Sequence, residues 1–376
     1  MRILIVGAGI GGMTLAALLN QRGQHATLVE RAPHFDHMGY MLGLYPLGNR
    51  ILHGLGLYDA FIEISERMDI YNMANGKGEI IQSFSMAPIQ RFGDCQLLTR
   101  GELIALLHRK ASQQDLRLNL ALTGLVEHHD EVRASFSDGS TEAYDLVVGA
   151  DGIHSIVRRL LFGDVAEFDT GWGAWVWWAD PTVVRHDTVT EYWGAARMLG
   201  VYPTRHRIGV IAASPTADDE GVAGRRQRLR QRFRMLEGQA GALLDALPAD
   251  DVEMFYWKLI DLRTREWARG RVVLMGDAST AFLPTAGVGA SMAMESAAVL
   301  NDELSRSNAA RVHDAIDLYV KRRRRRAEGA QDDSRKLAKL MFVESTPLAW
   351  GRDHLMKFYT IEMLAKNIAR SLAEPL

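Results

Sequence analysis

The pattern of apolar and polar positions opens on a short hydrophobic run, Ile3-Leu4-Ile5-Val6 behind Arg2. Such a run predicts a strand buried on both faces of a parallel sheet. Gly7-Ala8-Gly9-Ile10-Gly11-Gly12 follows at once, then an Ala/Leu-rich helix from Met13 to Arg22 that stops at Gly23, then a second strand, Ala26 to Val29, ending on Glu30. Residues 32–43 read as a loop, helical periodicity resumes over Pro46–Leu55 and Leu57–Met68, and Asp69–Phe84 reads as a hairpin turning at Asn75-Gly76-Lys77-Gly78. Thr99-Arg100-Gly101 opens a helix, Glu102–Gln113, with Leu103, Leu106 and Leu107 on one face. Strands are expected at Leu116–Leu122, Leu125–His128, Val132–Phe136 and Thr141–Tyr144. Another apolar strand from Asp145 then runs straight into Gly149-Ala150-Asp151-Gly152, and a helix starts near Ser155 and Arg158.

From Phe168 to about Arg265 the pattern changes to β-rich segments broken by Gly and Pro and crowded with Trp172, Trp175, Trp177, Trp178, Trp193 and Tyr202. Strands are expected at Val201–Pro203 and Ile208–Ala213, helices at Arg225–Phe233 and Ala240–Ala246. Aromatics at such spacing belong to a core more often than to a pocket. Arg271–Met275 is again a buried strand, ending in Gly276-Asp277, and the loop Phe282–Ala290 leads into a helix from Ser291 to Leu304. Long helical patterns cover His313–Leu340 and Leu355–Ser371. These elements predict an α/β fold: a Rossmann-like nucleotide-binding domain of residues 1–70, 95–167 and 266–330, an inserted β-sheet-plus-helix substrate domain of residues 71–94 and 168–265, and a C-terminal helical segment, 331–376.

Composition narrows the function classes. The chain has 376 residues, 47% of them hydrophobic, and a net charge of −2, which gives no electrostatic case for nucleic acid or an anionic membrane. The basic run Lys321–Arg326 sits in a helical pattern with Glu328, Asp332 and Asp333 close by, so a solvated helix face is expected there. Cys95 is the one cysteine, which excludes an internal disulfide and a cysteine metal site. His34, His37 and His53 lack an acidic or cysteine partner at ligand spacing, so no metal is expected. With strand one at the N-terminus and no long apolar run, a cytoplasmic protein is expected.

The glycine turn carries the clearest chemistry. Gly7 permits a tight strand-to-helix turn, Gly9 lets a pyrophosphate approach the backbone, and Gly12 lets helix and strand pack closely, while the helix N-terminus offers unpaired N–H groups to phosphate. Glu30 can accept both hydroxyls of an adenosine ribose and disfavours a 2′-phosphate. This alone does not choose between NAD and FAD. The second glycine-rich strand-to-helix junction, at Gly276-Asp277 and Gly287-Val288-Gly289, together with Asp151-Gly152, exceeds what one NAD needs and suits the extended FAD.

These separated motifs, in this order, resemble the single-component FAD-dependent aromatic hydroxylases, the group A flavoprotein monooxygenases. The likeness runs over nearly the whole chain. Its shortness resembles the compact branch of salicylate- and urate-type hydroxylases and tetracycline-inactivating monooxygenases. The resemblance implies that the first motif holds the ADP moiety, that Asp277 holds the ribityl chain, that Asp151 serves both FAD and NAD(P)H use, and that Arg100 touches the cofactor. The implied cofactor-contacting set is Gly7, Gly9, Gly11, Gly12, Glu30, Arg31, Arg100, Asp151, Gly152, Asp277, Pro284, Gly287, Gly289 and Ala290. It also implies NADH or NADPH as a transient electron donor, O₂ as co-substrate, and hydroxylation of an aromatic or polycyclic small molecule through a flavin hydroperoxide. A monomer or homodimer is expected. Ser291 departs from the pattern, standing where an asparagine is usual. No catalytic base is identified: neither His154 nor His206 has a positional argument.

Other functions of the same fold have weaker support. A flavin halogenase needs a Trp-x-Trp-x-Ile-Pro segment, which Trp175-Val176-Trp177-Trp178-Ala179-Asp180-Pro181 only mimics, and a tunnel lysine, whereas Lys77 reads as a turn residue. A flavin-linked prenyl reductase and a non-catalytic flavoprotein complete the alternatives.

Overall fold

The sheet behind the glycine turn has six strands, in the order Ala268–Arg269, Val272–Leu274, Leu146–Gly149, Ile3–Val6, Ala26–Val29, Asp115–Arg117. All its pairings are parallel except the edge pair Ala268–Arg269 with Val272–Leu274. This is a computed structural model, and it describes residues 1–34, 39–180, 182, 184–216, 221–236, 238–250 and 254–358. The first strand lies centrally, with the strand that follows it on one side and Leu146–Gly149 on the other. In an open sheet that reversal leaves a crevice at the carboxyl ends of the strands. Ile3, Leu4 and Ile5 are buried, as the unbroken apolar run requires. Helices Ile10–Gln21 and Gly289–Ser305 pack against each other over the sheet, close to the expected spans.

A second sheet has eight strands, in the order Thr280–Ala281, Phe255–Arg263, Glu167–Ala179, Ile208–Pro215, Arg197–Pro203, Thr188–Gly194, Ile70–Asn75, Ile80–Ser85. The expected hairpin supplies its far edge, and its turn is held by Asn75, whose side-chain oxygen accepts from the Lys77 N–H at 2.9 Å. Trp172, Trp175 and Trp177 are core residues, whereas Trp178 and Trp193 also reach the cleft described below. Helices Arg225–Arg232 and Gly238–Asp245 fall where the sequence places them.

Four expectations need correction, the first being the helix at Leu57–Met68, which ends at Ile64 and gives way to the strand Glu66–Arg67 paired with Gln96–Thr99. Residues 32–43 are not wholly loop: Met41–Leu44 is a strand, because Gln96–Thr99 offers it an antiparallel partner. The expected strand Leu116–Leu122 divides into Asp115–Arg117, in the parallel sheet, and Leu122–Glu127, in a small antiparallel sheet. The basic run, inside the helix Val312–Met341, is not simply a solvated face. Arg323 and Arg326, three apart and therefore on one side, turn inward onto the fully buried Glu295, at 2.7 and 2.5 Å, while Arg324 pairs outward with Glu328 at 2.9 Å. Thr346–Met356 forms a last helix, and most of the span expected at Leu355–Ser371 lies outside the described residues, as does His37. Among the described residues there is no cluster of three metal-ligating side chains and no helix long and apolar enough to cross a membrane.

Candidate active site

The carboxyl ends of four parallel strands, at Gly7, Glu30, Ala150 and Met275, converge on one crevice. Gly7 after the first strand is so close to Ala150-Asp151 after another that an added Cβ would lie 2.6 Å from the Ala150 carbonyl oxygen, and its φ of +103° suits only glycine. A Cβ on Gly12 would lie 2.0 Å from the Gly7 oxygen, the close helix–strand packing expected of that position. Gly9 differs: a Cβ there would meet nothing nearer than the Arg100 guanidinium at 3.8 Å. The space in front of Gly9 is therefore open, and no side chain caps the helix that starts behind it. Its first N–H groups face the crevice with a partial positive charge.

The crevice widens into a cavity of about 2540 Å³ that runs from the glycine turn to the eight-stranded sheet. Of the fourteen residues expected from the sequence, all but Gly12 line it. Glu30 bridges the two chain segments at its inner end, accepting from the Ala8 N–H at 2.9 Å and from the Ala32 N–H at 3.0 Å. Each carboxylate oxygen keeps a lone pair for a further donor. Arg100 is the first residue of a helix, Arg100–Lys110, whose start is set by a reciprocal cap: Thr99 accepts from the Glu102 N–H at 3.1 Å, and Glu102 accepts from the Thr99 N–H at 2.8 Å.

Asp151 is used differently from Asp277. Its carboxylate turns back to the helix Ile156–Phe162, accepting from the Ser155 hydroxyl and from the Ile156 and Val157 N–H groups, so the Asp151-Gly152 backbone is what faces the cleft. Arg158 on the same helix donates to the Ala278 carbonyl at 2.9 Å and so ties this segment to the Gly276-Asp277 turn. Asp277 finds no hydrogen-bonding or ion-pair partner among the described residues. Its open surface faces the cavity, and the protein around it pushes its carboxyl up to about 6, with Arg100 opposing. Pro284–Ala286 forms a single tight turn before Gly287, whose φ is +62° and which lies against the Tyr45 ring. Thr285 anchors that turn to the long helix by donating to the Ser334 carbonyl at 2.8 Å. Ser291, beside the cavity wall, is 1% exposed and its hydroxyl has no hydrogen-bond partner among the described residues.

The sequence reading missed the opposite wall. Glu191, buried in Thr188–Gly194, accepts from the Tyr71 and Tyr202 hydroxyls, both at 2.6 Å, and from the Trp193 indole N–H at 2.9 Å. Alternation along a strand places Val189, Glu191 and Trp193 on the cavity face. Gly200 is paired with Glu191 across the sheet, and a Cβ there would lie 2.4 Å from the Tyr202 ring, so its bareness lets that ring lean onto Glu191. Tyr45, Tyr71 and Tyr202 share one apolar cluster with Phe282 and Val288, which joins this wall to the loop before Gly289. Cys95 is fully buried, does not line the cavity, and has its thiol pushed up to about 12 by burial. His154 also lines the cavity, and no hydrogen bond of its ring to an acidic side chain is found among the described residues.

The open space at Gly9, and the side chains of Arg100 and Asp277, which have no hydrogen-bond or ion-pair partner among the described residues, are room, donor and acceptor for an elongated polar guest. Comparison with known proteins says which. The family profile described as FAD binding domain matches residues 1–334. The 3-amino-4-hydroxybenzoate 2-monooxygenase of Streptomyces cremeus is 30% identical, over 95% of this chain and 91% of that protein. The 6-hydroxynicotinate 3-monooxygenase of Bordetella bronchiseptica is 29% identical, over 94% of this chain and 95% of that protein. Among solved structures, Klebsiella pneumoniae HpxO complexed with FAD and uric acid superposes with a TM-score of 0.88 at 23% identity, over 99% of this chain and 96% of that one.

Proposed function

The chain belongs to the FAD binding domain family and is an FAD-dependent monooxygenase, and from that premise we propose that it hydroxylates a small aromatic or polycyclic molecule in the cavity between its two sheets. The observation that carries this reading is the pair of cavity-lining charged side chains, Arg100 and Asp277, that have no hydrogen-bond or ion-pair partner among the described residues, in line with the open glycine turn. In this reading the N–H groups behind Gly9 and the Arg100 guanidinium bind pyrophosphate, and Glu30 and Arg31 take the adenosine end. Asp277 accepts from the ribityl hydroxyls, and the turn Pro284–Ala290 lies along the ring. Residues 1–70, 95–167 and 266–330 then serve the cofactor, and residues 71–94 and 168–265 the substrate.

Bound FAD, reduced by NADH or NADPH, supplies the oxygen-activating chemistry. The protein contributes three things. The apolar wall of Met73, Val176 and Ile211 excludes water from the reacting face. Backbone N–H groups at the start of the helix Gly289–Ser305 offer fixed donors and a positive dipole end to developing negative charge. The wall at Glu191 orients the substrate. No second glycine fingerprint is present in the sequence, in keeping with a nicotinamide donor that binds only transiently. A cytoplasmic monomer or homodimer fits the reading. Lys77, the lysine a halogenase would require in a tunnel, lies exposed in the hairpin turn instead.

Titrating the apoprotein with FAD, followed by anaerobic mixing with NADH or NADPH, tests this reading. Saturable flavin binding and flavin reduction that accelerates when an aromatic ligand is present are expected. No flavin uptake, or uptake without reduction by either donor, would refute it.

A further inference from the structure

The wall opposite the expected flavin site has a hydrogen-bonding polarity of its own. Each tyrosine hydroxyl has one proton to give, and those of Tyr71 and Tyr202 are both given to Glu191. What the two phenolic oxygens can still offer the cavity, which both rings line, is lone pairs. Trp193 spends its single N–H on the same carboxylate. Burial raises the Glu191 carboxyl, opposed by these three donors, and no cationic side chain is among the groups that set its charge. The surroundings are apolar: Val189, Met68, Met86 and Ile89 all line the same part of the cavity.

We propose that the Glu191–Tyr71–Tyr202 cluster sets substrate class, selecting a neutral aromatic molecule that carries an O–H or N–H donor and rejecting aromatic carboxylates. This deepens the proposed hydroxylation and rests on it. The physical basis is twofold. The Glu191–Tyr71–Tyr202 cluster, its hydroxyl protons already spent, pairs with a donor and leaves an acceptor placed against it unpaired, and an unpaired buried polar group costs more than a made hydrogen bond gains. A ligand carboxylate brought beside a buried carboxylate without a cation to share meets like-charge repulsion in a poorly screened site. The preference therefore runs opposite to the benzoate and nicotinate in the names of the two relatives. Glu191 acts through the tyrosines and is a positioning residue.

The test is equilibrium binding to FAD-loaded protein, read from flavin difference spectra, with three ligands of one shape: 2-naphthol, 2-methylnaphthalene and 2-naphthoate. 2-Naphthol is expected to bind at least about tenfold tighter than either other ligand, the effect of one well-made polar contact. 2-Methylnaphthalene is the more apolar of that pair, so hydrophobicity alone predicts the reverse order. Tyr71→Phe and Tyr202→Phe, which remove one oxygen each, should lower the naphthol preference, and Glu191→Gln should narrow the gap between naphthol and naphthoate. Naphthoate binding as tightly as naphthol, no binding of naphthol, or a preference unchanged in both tyrosine variants overturns the proposal. Protein that takes up no FAD contradicts the flavin reading instead, and the same titrations followed by tryptophan emission of the apoprotein still decide the ligand preference.

Discussion

Gly9→Ala separates a ligand-binding glycine from a structural one. The Gly9 backbone has φ −72° and ψ −174°, open to any residue, and its added Cβ would sit 3.8 Å from the nearest protein atom. With no clash in the folded state and less freedom in the unfolded one, the apoprotein should be as stable as wild type or up to about 1 kcal/mol more so. FAD binding should respond in the other direction. A methyl group in the open space displaces the pyrophosphate from the helix N–H groups, and each charge-assisted hydrogen bond lost costs about 1.5–3 kcal/mol, roughly 10- to 150-fold in Kd. Gly12→Ala is the contrasting control. Its Cβ would lie 2.0 Å from a backbone oxygen, so the apoprotein itself should lose stability. Urea denaturation of the apoproteins and flavin-fluorescence titration give the two readouts. Wild-type FAD affinity in Gly9→Ala, or an apoprotein destabilised as much as Gly12→Ala, would refute the reasoning.

Other perturbations have defined signs. Asp277→Ala should give a folded apoprotein whose FAD affinity is weaker by about 1–3 kcal/mol, measured by the same titration, because the carboxylate has no hydrogen-bond or ion-pair partner to lose among the described residues. Asp277 also gives the apoprotein a pH dependence. Its folded pKa, about 6, lies above its unfolded value, so the stability it contributes is present at low pH and lost as pH rises from about 4 through 6. Asp277→Asn apoprotein should therefore melt above wild type at pH 8 and show less advantage at pH 4; equal differences at both would contradict a raised Asp277 carboxyl. Glu295→Ala leaves Arg323 and Arg326 without their buried anion and should cost about 3–5 kcal/mol in urea denaturation. Thr99→Ala should cost about 1 kcal/mol through the lost cap, and should weaken FAD binding as well if that cap positions Arg100.

How far the sequence could be read depended on how local each signal is. The glycine turn, its helix and Glu30 are contiguous, and their chemistry follows from spacing; the Gly276-Asp277 turn and the helices Gly289–Ser305 and Val312–Met341 were legible for the same reason. Met41–Leu44 was not, because Gly39 and Gly43 suggest a loop and only pairing with Gln96–Thr99 makes it a strand. The inward turn of Arg323 and Arg326 depended on Glu295, a residue on another helix. Most remote from a linear reading was the Glu191 wall, whose three oxygen-bearing side chains come from three strands. Tyr71 is brought beside Glu191 by a parallel pairing, and Tyr202 by Gly200, a residue whose importance is the absence of a side chain. The faint signal was Glu191 itself, a carboxylate among β-branched and aromatic residues on a buried strand.

Monooxygenation is tested most directly by following the oxygen. FAD-loaded protein, NADH or NADPH, and an aromatic ligand that accelerates donor oxidation are incubated under ¹⁸O₂, and the product is examined by mass spectrometry. The account predicts one ¹⁸O atom in the hydroxylated product for each donor molecule consumed in coupled turnover. Product oxygen drawn from water, or donor oxidation that yields only hydrogen peroxide with every ligand that binds, would contradict it.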